Sequence, residues 1–287
     1  MRAFRFAHTS LGATIPVTLI PAPEPIGRDW AWGDATGRGV RVCIVDSGVD
    51  ATHPLVGGHT AAYAVAEAET GWTIEPDEAG DVAGHGTACA GIIRSLAPDC
   101  ELTSIRVLAR NLRGNGDALL TALEWAVDQG FPLVNVSLST RREPLKERLH
   151  DLTDRAFFRG VTLVSAAHNS PVVSYPWRFP SVVSVGSHEV EDGEYLESNP
   201  SPPVDFFALG VNVRVAWPGG GSKIVSGNSF ATPHVVGLCA RVLERHPEFR
   251  TAQLKHVLAA VSNNQVPTTD QAVGADATAA PTGSRPC

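Results

Sequence analysis

Three residues, Asp46, His85 and Ser229, are of the types that acyl transfer needs, and each stands where the chain pattern changes. Ser229 lies in Gly227-Asn228-Ser229-Phe230-Ala-Thr-Pro233, where a glycine loop opens into a segment, 230–243, that is apolar on almost every side. That pattern predicts a helix buried in a large core, with Pro233 in its first turn, where a missing N–H breaks no hydrogen bond. N–H groups at a helix start lack helical partners, and the dipole there favours negative charge. A serine in that place can attack a carbonyl and have the resulting oxyanion held, although a lone serine before a helix is more often a cap. The nucleophile needs a base, and the base an orienting carboxylate. His85 sits in Gly84-His85-Gly86, where the glycines let the backbone turn tightly and leave the imidazole accessible. Asp46 ends the apolar run 39–45, where a carboxylate is costly unless paired. The ring N–H of His85 is its candidate partner.

The elements that must position these groups follow from periodicity. Apolar runs at 39–45, 102–108, 132–138, 161–166 and 182–187 predict strands. Helical patterns open at Gly84 and cover 117–129, 144–159, 230–243 and 251–261, while 53–80 reads as acidic loop. Strands alternating with helices argue an α/β fold, a mostly parallel twisted sheet with helices on both faces. Functional groups in such folds gather beyond the carboxyl ends of the strands, which would put Asp46, His85, Asn169 and Ser229 on one edge.

Composition narrows the function classes. The formal net charge is −7 with no basic block, and only Lys146, Lys223 and Lys255 among the 23 basic residues are lysines, which argues against nucleic-acid binding. No run of 18 apolar residues exists, so no membrane span is expected. The first residues lack a continuous apolar signal region. The five cysteines, odd in number and widely spaced, match no disulfide or zinc pattern. Reduced thiols and a cytoplasmic location are therefore expected, with no metal or other cofactor. Residues 1–28 read as an extension, 29–262 as the functional domain, and 263–287, rich in Ala, Thr and Pro, as a disordered tail.

Asp46-Ser-Gly-Val-Asp-Ala-Thr-His-Pro54, Gly84-His85-Gly-Thr-Ala-Cys-Ala-Gly91 and Gly227-Asn-Ser229-Phe-Ala-Thr-Pro-His-Val-Val-Gly237 resemble the three catalytic blocks of the subtilisin-like serine proteases, in the same Asp, His, Ser order. The resemblance extends over roughly 28–262 and implies a three-layer subtilisin-like fold, a peptide or protein substrate and a serine endopeptidase. It also implies that Asn169, in Ser165-Ala-Ala-His-Asn169, donates to the oxyanion beside the Ser229 N–H; the alternative is a turn asparagine. Substrate would lie extended, paired as a strand with Asn115, Gly116 and Asp117 on one side and Ser137, Leu138 and Ser139 on the other. Asp117 would favour a basic substrate residue, Ala118 would leave a roomy pocket, and Ser174 with the short 170–174 loop would shape the first pocket.

The departures are as specific as the matches. His168 replaces the usual glycine before the oxyanion asparagine, Asn228 the usual threonine before the serine, and Phe230 the frequent methionine after it. Leu55 stands where the family has a calcium-ligating aspartate, so no tight calcium site is expected near 53–80. Ser139-Thr140 replaces a Gly-Gly pair and would crowd a substrate. Val17-Thr-Leu-Ile-Pro21 is similar to the short N-terminal element of intracellular members, and implies either an inhibitory arm across the cleft or an arm packed on the surface. Endopeptidase action, either general or specialised for maturing one peptide precursor, is the leading reading. A transpeptidase or macrocyclase using the same acyl-enzyme and a catalytically weak peptide-binding pseudo-protease are the alternatives. The oligomeric state stays open.

Overall fold

The computed structural model describes residues 2–5, 14–17, 25–57 and 60–265. In chain order, Arg2–Arg5 (β1) and Thr14–Val17 (β2) pair as an antiparallel ribbon. Helix Arg28–Ala31 (α1) leads to Arg41–Asp46 (β3) and the hairpin Thr60–Ala68 (β4) and Gly71–Pro76 (β5). Then come His85–Leu96 (α2), Glu101–Arg106 (β6), Gly116–Asp128 (α3), Leu133–Val136 (β7), Lys146–Arg159 (α4), Thr162–Ala166 (β8) and Val183–His188 (β9). Glu197–Ser198 (β10), Phe206–Leu209 (β11) and the ribbon Val213–Trp217 (β12) with Gly221–Val225 (β13) follow. Helices Asn228–Arg245 (α5) and Thr251–Ala260 (α6) complete the described chain.

Nine strands form one sheet in the order β10-β11-β9-β8-β7-β3-β6-β4-β5. All neighbours from β11 to β4 are parallel, and only β10 and β5 join antiparallel. β3 shows why the layers number three. Its side chains alternate between two cores: Val42 and Ile44 pack with Ile93 of α2 and Val236 of α5, while Cys43 and Val45 pack with Leu119 of α3 and Leu149 of α4. A strand buried on both faces requires helices above and below. The expected α/β three-layer architecture is thus the observed one. None of the described helices is long and apolar enough to cross a membrane.

Three readings of the sequence change. The acidic stretch 53–80 contains the edge hairpin β4–β5, held by the parallel pairing of Thr60–Ala64 with Leu102–Arg106; its alanines and glutamates are poor strand formers, so pairing and not propensity sets its conformation. The strand expected over 102–108 ends at Arg106, because the N–H groups of both Val107 and Leu108 bond to Asp46 O, at 2.8 and 3.1 Å. The ribbon β12–β13 was not foreseen; it covers Ala88 and Ile92 of α2 and Phe230 of α5 with Val213 and Val215. At the far end, Asn263 is anchored by two bonds to the Leu196 backbone, at 2.7 and 2.9 Å. Residues 266–287 and the Leu19-Ile20-Pro21 element lie outside the described residues.

Candidate active site

Asp46 is the last residue of β3 and is fully buried. Its carboxylate accepts the Ser47 N–H at 2.7 Å, and His85 Nδ1 lies 2.8 and 2.9 Å from its two oxygens. The ring nitrogen must donate, so the neutral tautomer carries its proton on Nδ1 and leaves Nε2 basic. Burial disfavours the imidazolium, but the Asp46 carboxylate outweighs it and raises His85 well above the usual histidine value of 6.5.

His85 begins α2, and two features fix that start. Asp81 caps it: its oxygens accept the N–H groups of Ala83, Gly84 and Thr87 at 3.0, 2.7 and 2.8 Å, as well as the hydroxyls of Ser47 and Thr87. Gly86 lets the helix approach β3. A Cβ there would stand 2.0 Å from Gly48 O and 3.2 Å from Asp46 Cβ, so any side chain would push His85 away from Asp46. Behind the pair lies the buried Cys89. Its Sγ is 3.7 Å from Asp46 Oδ2, 3.9 Å from His85 Nδ1 and 3.6 Å from Ser137 Oγ, and burial pushes its thiol pKa up. The ring of Phe230 lies with its centroid 5.0 Å from that of His85. Asp81 and Cys89 were not singled out as parts of the site; the spacing of Asp81 ahead of Gly84 was a readable cap signal.

Ser229 is the second residue of α5. Of the N–H groups in that first turn, Asn228's donates to Asn169 Oδ1 at 2.8 Å and Phe230's to Gly227 O at 2.9 Å; Ser229's has no protein partner among the described residues. Because a backbone N–H can only donate, the atom of Asn169 facing Asn228 is oxygen, and the amide NH₂ is left for another acceptor. A Cβ on Gly227 would lie 3.3 Å from that Nδ2 and 3.4 Å from Ser229 Oγ, so both converge on this glycine. Gly227 itself has φ 155° and ψ 154°, a region essentially reserved for glycine. Asn228 clamps the end of β8: its Nδ2 donates to Ala167 O at 3.0 Å, and its Oδ1 accepts from Ser187 Oγ at 2.7 Å. His168 keeps an ordinary backbone, and its Nδ1 accepts the Ser170 N–H at 3.0 Å.

Pro233 is not in the first turn of α5, as expected, but is its sixth residue. Lacking an N–H, it leaves the carbonyl four residues back without a helical donor, and that carbonyl belongs to Ser229. Ser137 Oγ donates to it at 2.9 Å and the Cys89 thiol approaches at 3.6 Å. Side chains from just past the end of β7 and from α2 thus grip the Ser229 main chain.

His85, Asn169 and Ser229 line one cavity of about 400 Å³, together with Ser137, Leu138 and Ser139. A second cavity of about 580 Å³, lined by Asn115, Gly116 and Ala118 among others, shares Leu108, Leu112, Leu138 and Ser139 with it. Two of the expected placements differ in the structure. Residues 115–117 form no strand edge: Asn115 caps α3, its side chain accepting the Asp117 N–H at 2.8 Å, and the Asp117 carboxylate is bonded to Arg148 at 2.7 Å. Ser174 is fully buried, with its Oγ accepting from Trp177 Nε1 at 2.8 Å, so it lines neither cavity. The one close group of metal-ligand side chains among the described residues is Asp46, His85 and Cys89, within 4.8 Å, and these are already bonded to one another. Leu55 is exposed and offers no oxygen to a cation.

The sequence profile of the subtilase family matches residues 37–275. The chain belongs to the subtilase family. Among relatives of this subtilase, subtilisin BL of Lederbergia lenta is 32% identical over 237 residues, covering 78% of this chain and 83% of that one. M-protease of Shouchella clausii (strain KSM-K16) is 30% identical over 266 residues, covering 87% of this chain and 65% of the relative. A crystal structure of a cold-adapted subtilisin-like serine proteinase superposes with a TM-score of 0.68 at 29% identity, over 82% of this subtilase and 87% of that chain. This chain spans less than two thirds of the length of several curated relatives, 59% for subtilisin E of Bacillus subtilis.

Proposed function

We propose that this subtilase is a serine endopeptidase that hydrolyses peptide bonds through an acyl-enzyme on Ser229. The reading is carried by the arrangement around the 400 Å³ cavity: His85, already bonded through Nδ1 to a buried Asp46, shares it with Ser229 and Asn169. Ser229 Oγ attacks the substrate carbonyl while His85 Nε2 takes its proton, and Asp46 stabilises the imidazolium. The tetrahedral oxyanion is held by the free Ser229 N–H and by Asn169 Nδ2. His85 then protonates the leaving amine, and water, activated by the same imidazole, releases the acyl group. Substrate lies alongside Ser137, Leu138 and Ser139, which line the cavity past the end of β7.

The proteinase character of relatives about 30% identical supports this reading. The short 170–174 loop supports a narrow substrate range, such as one peptide precursor. The four described cysteines are buried free thiols, which suits a reducing, cytoplasmic compartment. A fluorophosphonate probe should label Ser229 in the full chain and fail to label Ser229→Ala or His85→Ala. Labelling that persists in Ser229→Ala would remove the nucleophile assignment.

A further inference from the structure

We infer that the 580 Å³ cavity beside the site reads an acidic side chain of the substrate. The inference rests on the peptidase reading and names the substrate class for it. The cavity lies between the β4–β5 hairpin, which contributes Val65 and Trp72, and the start of α3. It shares Leu108, Leu112, Leu138 and Ser139 with the cavity that holds Ser229, so an extended peptide bonded at Ser229 has a continuous path into it.

Its charge is one-sided. Arg106, Arg113 and Arg142 line it, and no acidic residue does. Arg106 is already neutralised, with Nε and Nη2 bonded to the two oxygens of Asp77 at 2.9 and 3.0 Å. Arg113 and Arg142 are exposed at the surface and make no ion pair among the described residues. Asp117 is held by Arg148, and Glu143, next to Arg142 in sequence, accepts from the Tyr175 hydroxyl at 3.2 Å and lies 4.0 Å from Lys146; neither acid is in the lining, nor are the hairpin's Glu67, Glu69 and Glu75. Two guanidinium groups without an ion pair thus stand beside the apolar Val65, Trp72 and Leu119 and the neutral polar Asn115, Ser139 and Thr140 of the lining. A carboxylate is the group that matches them, because the guanidinium fork pairs with it through two parallel N–H donors. This reverses the preference for a basic residue that Asp117 suggested.

The test is a set of otherwise identical peptides carrying Glu, Gln or Lys at one position at a time, incubated with the full-length protein and followed by mass spectrometry. At one position relative to the cleaved bond, kcat/KM for Glu should exceed that for Gln about tenfold, with Lys poorest, and the ratio should shrink with added salt. In Arg113→Gln/Arg142→Gln the ratio should approach one, and in Arg113→Glu/Arg142→Glu it should invert in favour of Lys, which loss of packing alone would not produce. Cleavage with equal Glu and Gln rates at every position, or a Glu preference that survives the charge reversal, overturns the inference and leaves the peptidase reading intact. If no peptide is cleaved and the fluorophosphonate leaves Ser229 unlabelled, both fall together.

Discussion

His85 is raised well above 6.5 because the Asp46 carboxylate outweighs the burial of the ring. A general base works only when neutral, so the sign follows directly: the raised pKa removes base at neutral pH and returns it as the pH rises. The acid limb of kcat/KM should therefore lie above pH 6.5, with activity still climbing into the alkaline range. Asp46→Asn keeps the space but loses the charge and the tautomer control, and should drop kcat about 10⁴-fold while moving that limb to lower pH. A pH–rate profile of both proteins decides this; an unmoved limb would mean that another group titrates. Asn169 is a separable case. Asn169→Ala should lower kcat about 10²- to 10³-fold with little change in KM, a loss of the size measured in subtilisin for its own oxyanion-hole asparagine. A change in KM alone would instead make Asn169 a substrate contact.

Helix α5 has to hold its second residue still although a proline interrupts its hydrogen bonds. Pro233 frees the Ser229 carbonyl, and Ser137 Oγ, at 2.9 Å, replaces the missing donor. Ser137→Ala should then cost about 1–3 kcal/mol, the penalty of an orphaned buried carbonyl, and lower kcat as well. Pro233→Ala restores the N–H, so Ser137→Ala should cost much less in that background. Urea denaturation of the four proteins in this cycle measures the coupling; strictly additive losses would contradict it. The helix itself was legible from its apolar run, and so were β3, β7, β8 and β9, because strands buried on both faces are mostly apolar, with only single polar residues such as Asn135, Ser165 and Ser184 among them. The hairpin β4–β5 and the ribbon β12–β13 were not legible, since neighbours supply what their own residues lack. At the site, Asp46, His85 and Ser229 could be read from glycine turns and element ends. The Asp117–Arg148 pair could not, because Arg148 reaches it only through tertiary packing, whereas the bonds of Asn115 to the Asp117 N–H and of Trp177 to Ser174 are local.

At the scale of the whole molecule, the protonation of His234 works against the fold. His234 lies in α5 and helps to line an outer cavity, and its Nδ1 donates to Phe230 O at 2.9 Å. Burial, opposed by that bond and reinforced by His188, lowers its pKa to about 4. Glu191, Arg94 and Arg214 line the same cavity. In the unfolded chain His234 takes a proton near pH 6.5, whereas in the folded chain it does so only near 4. Between those values the unfolded state binds the extra proton, so the stabilising contribution is present above pH 6.5 and is lost as the pH falls toward 4. At about 1.4 kcal/mol per pKa unit the total approaches about 3 kcal/mol, and roughly 2 kcal/mol is lost by about pH 5. Carboxylates also titrate there, so the measurement has to be a difference. In a Ser229→Ala background that prevents self-cleavage, His234→Asn keeps a donor for Phe230 O but cannot ionise. The parent should lose about 2 kcal/mol more unfolding free energy than this variant between about pH 7.5 and 5. Parallel losses in the two proteins would show that His234 already binds its proton in the folded state, and that the acid sensitivity of the fold arises elsewhere.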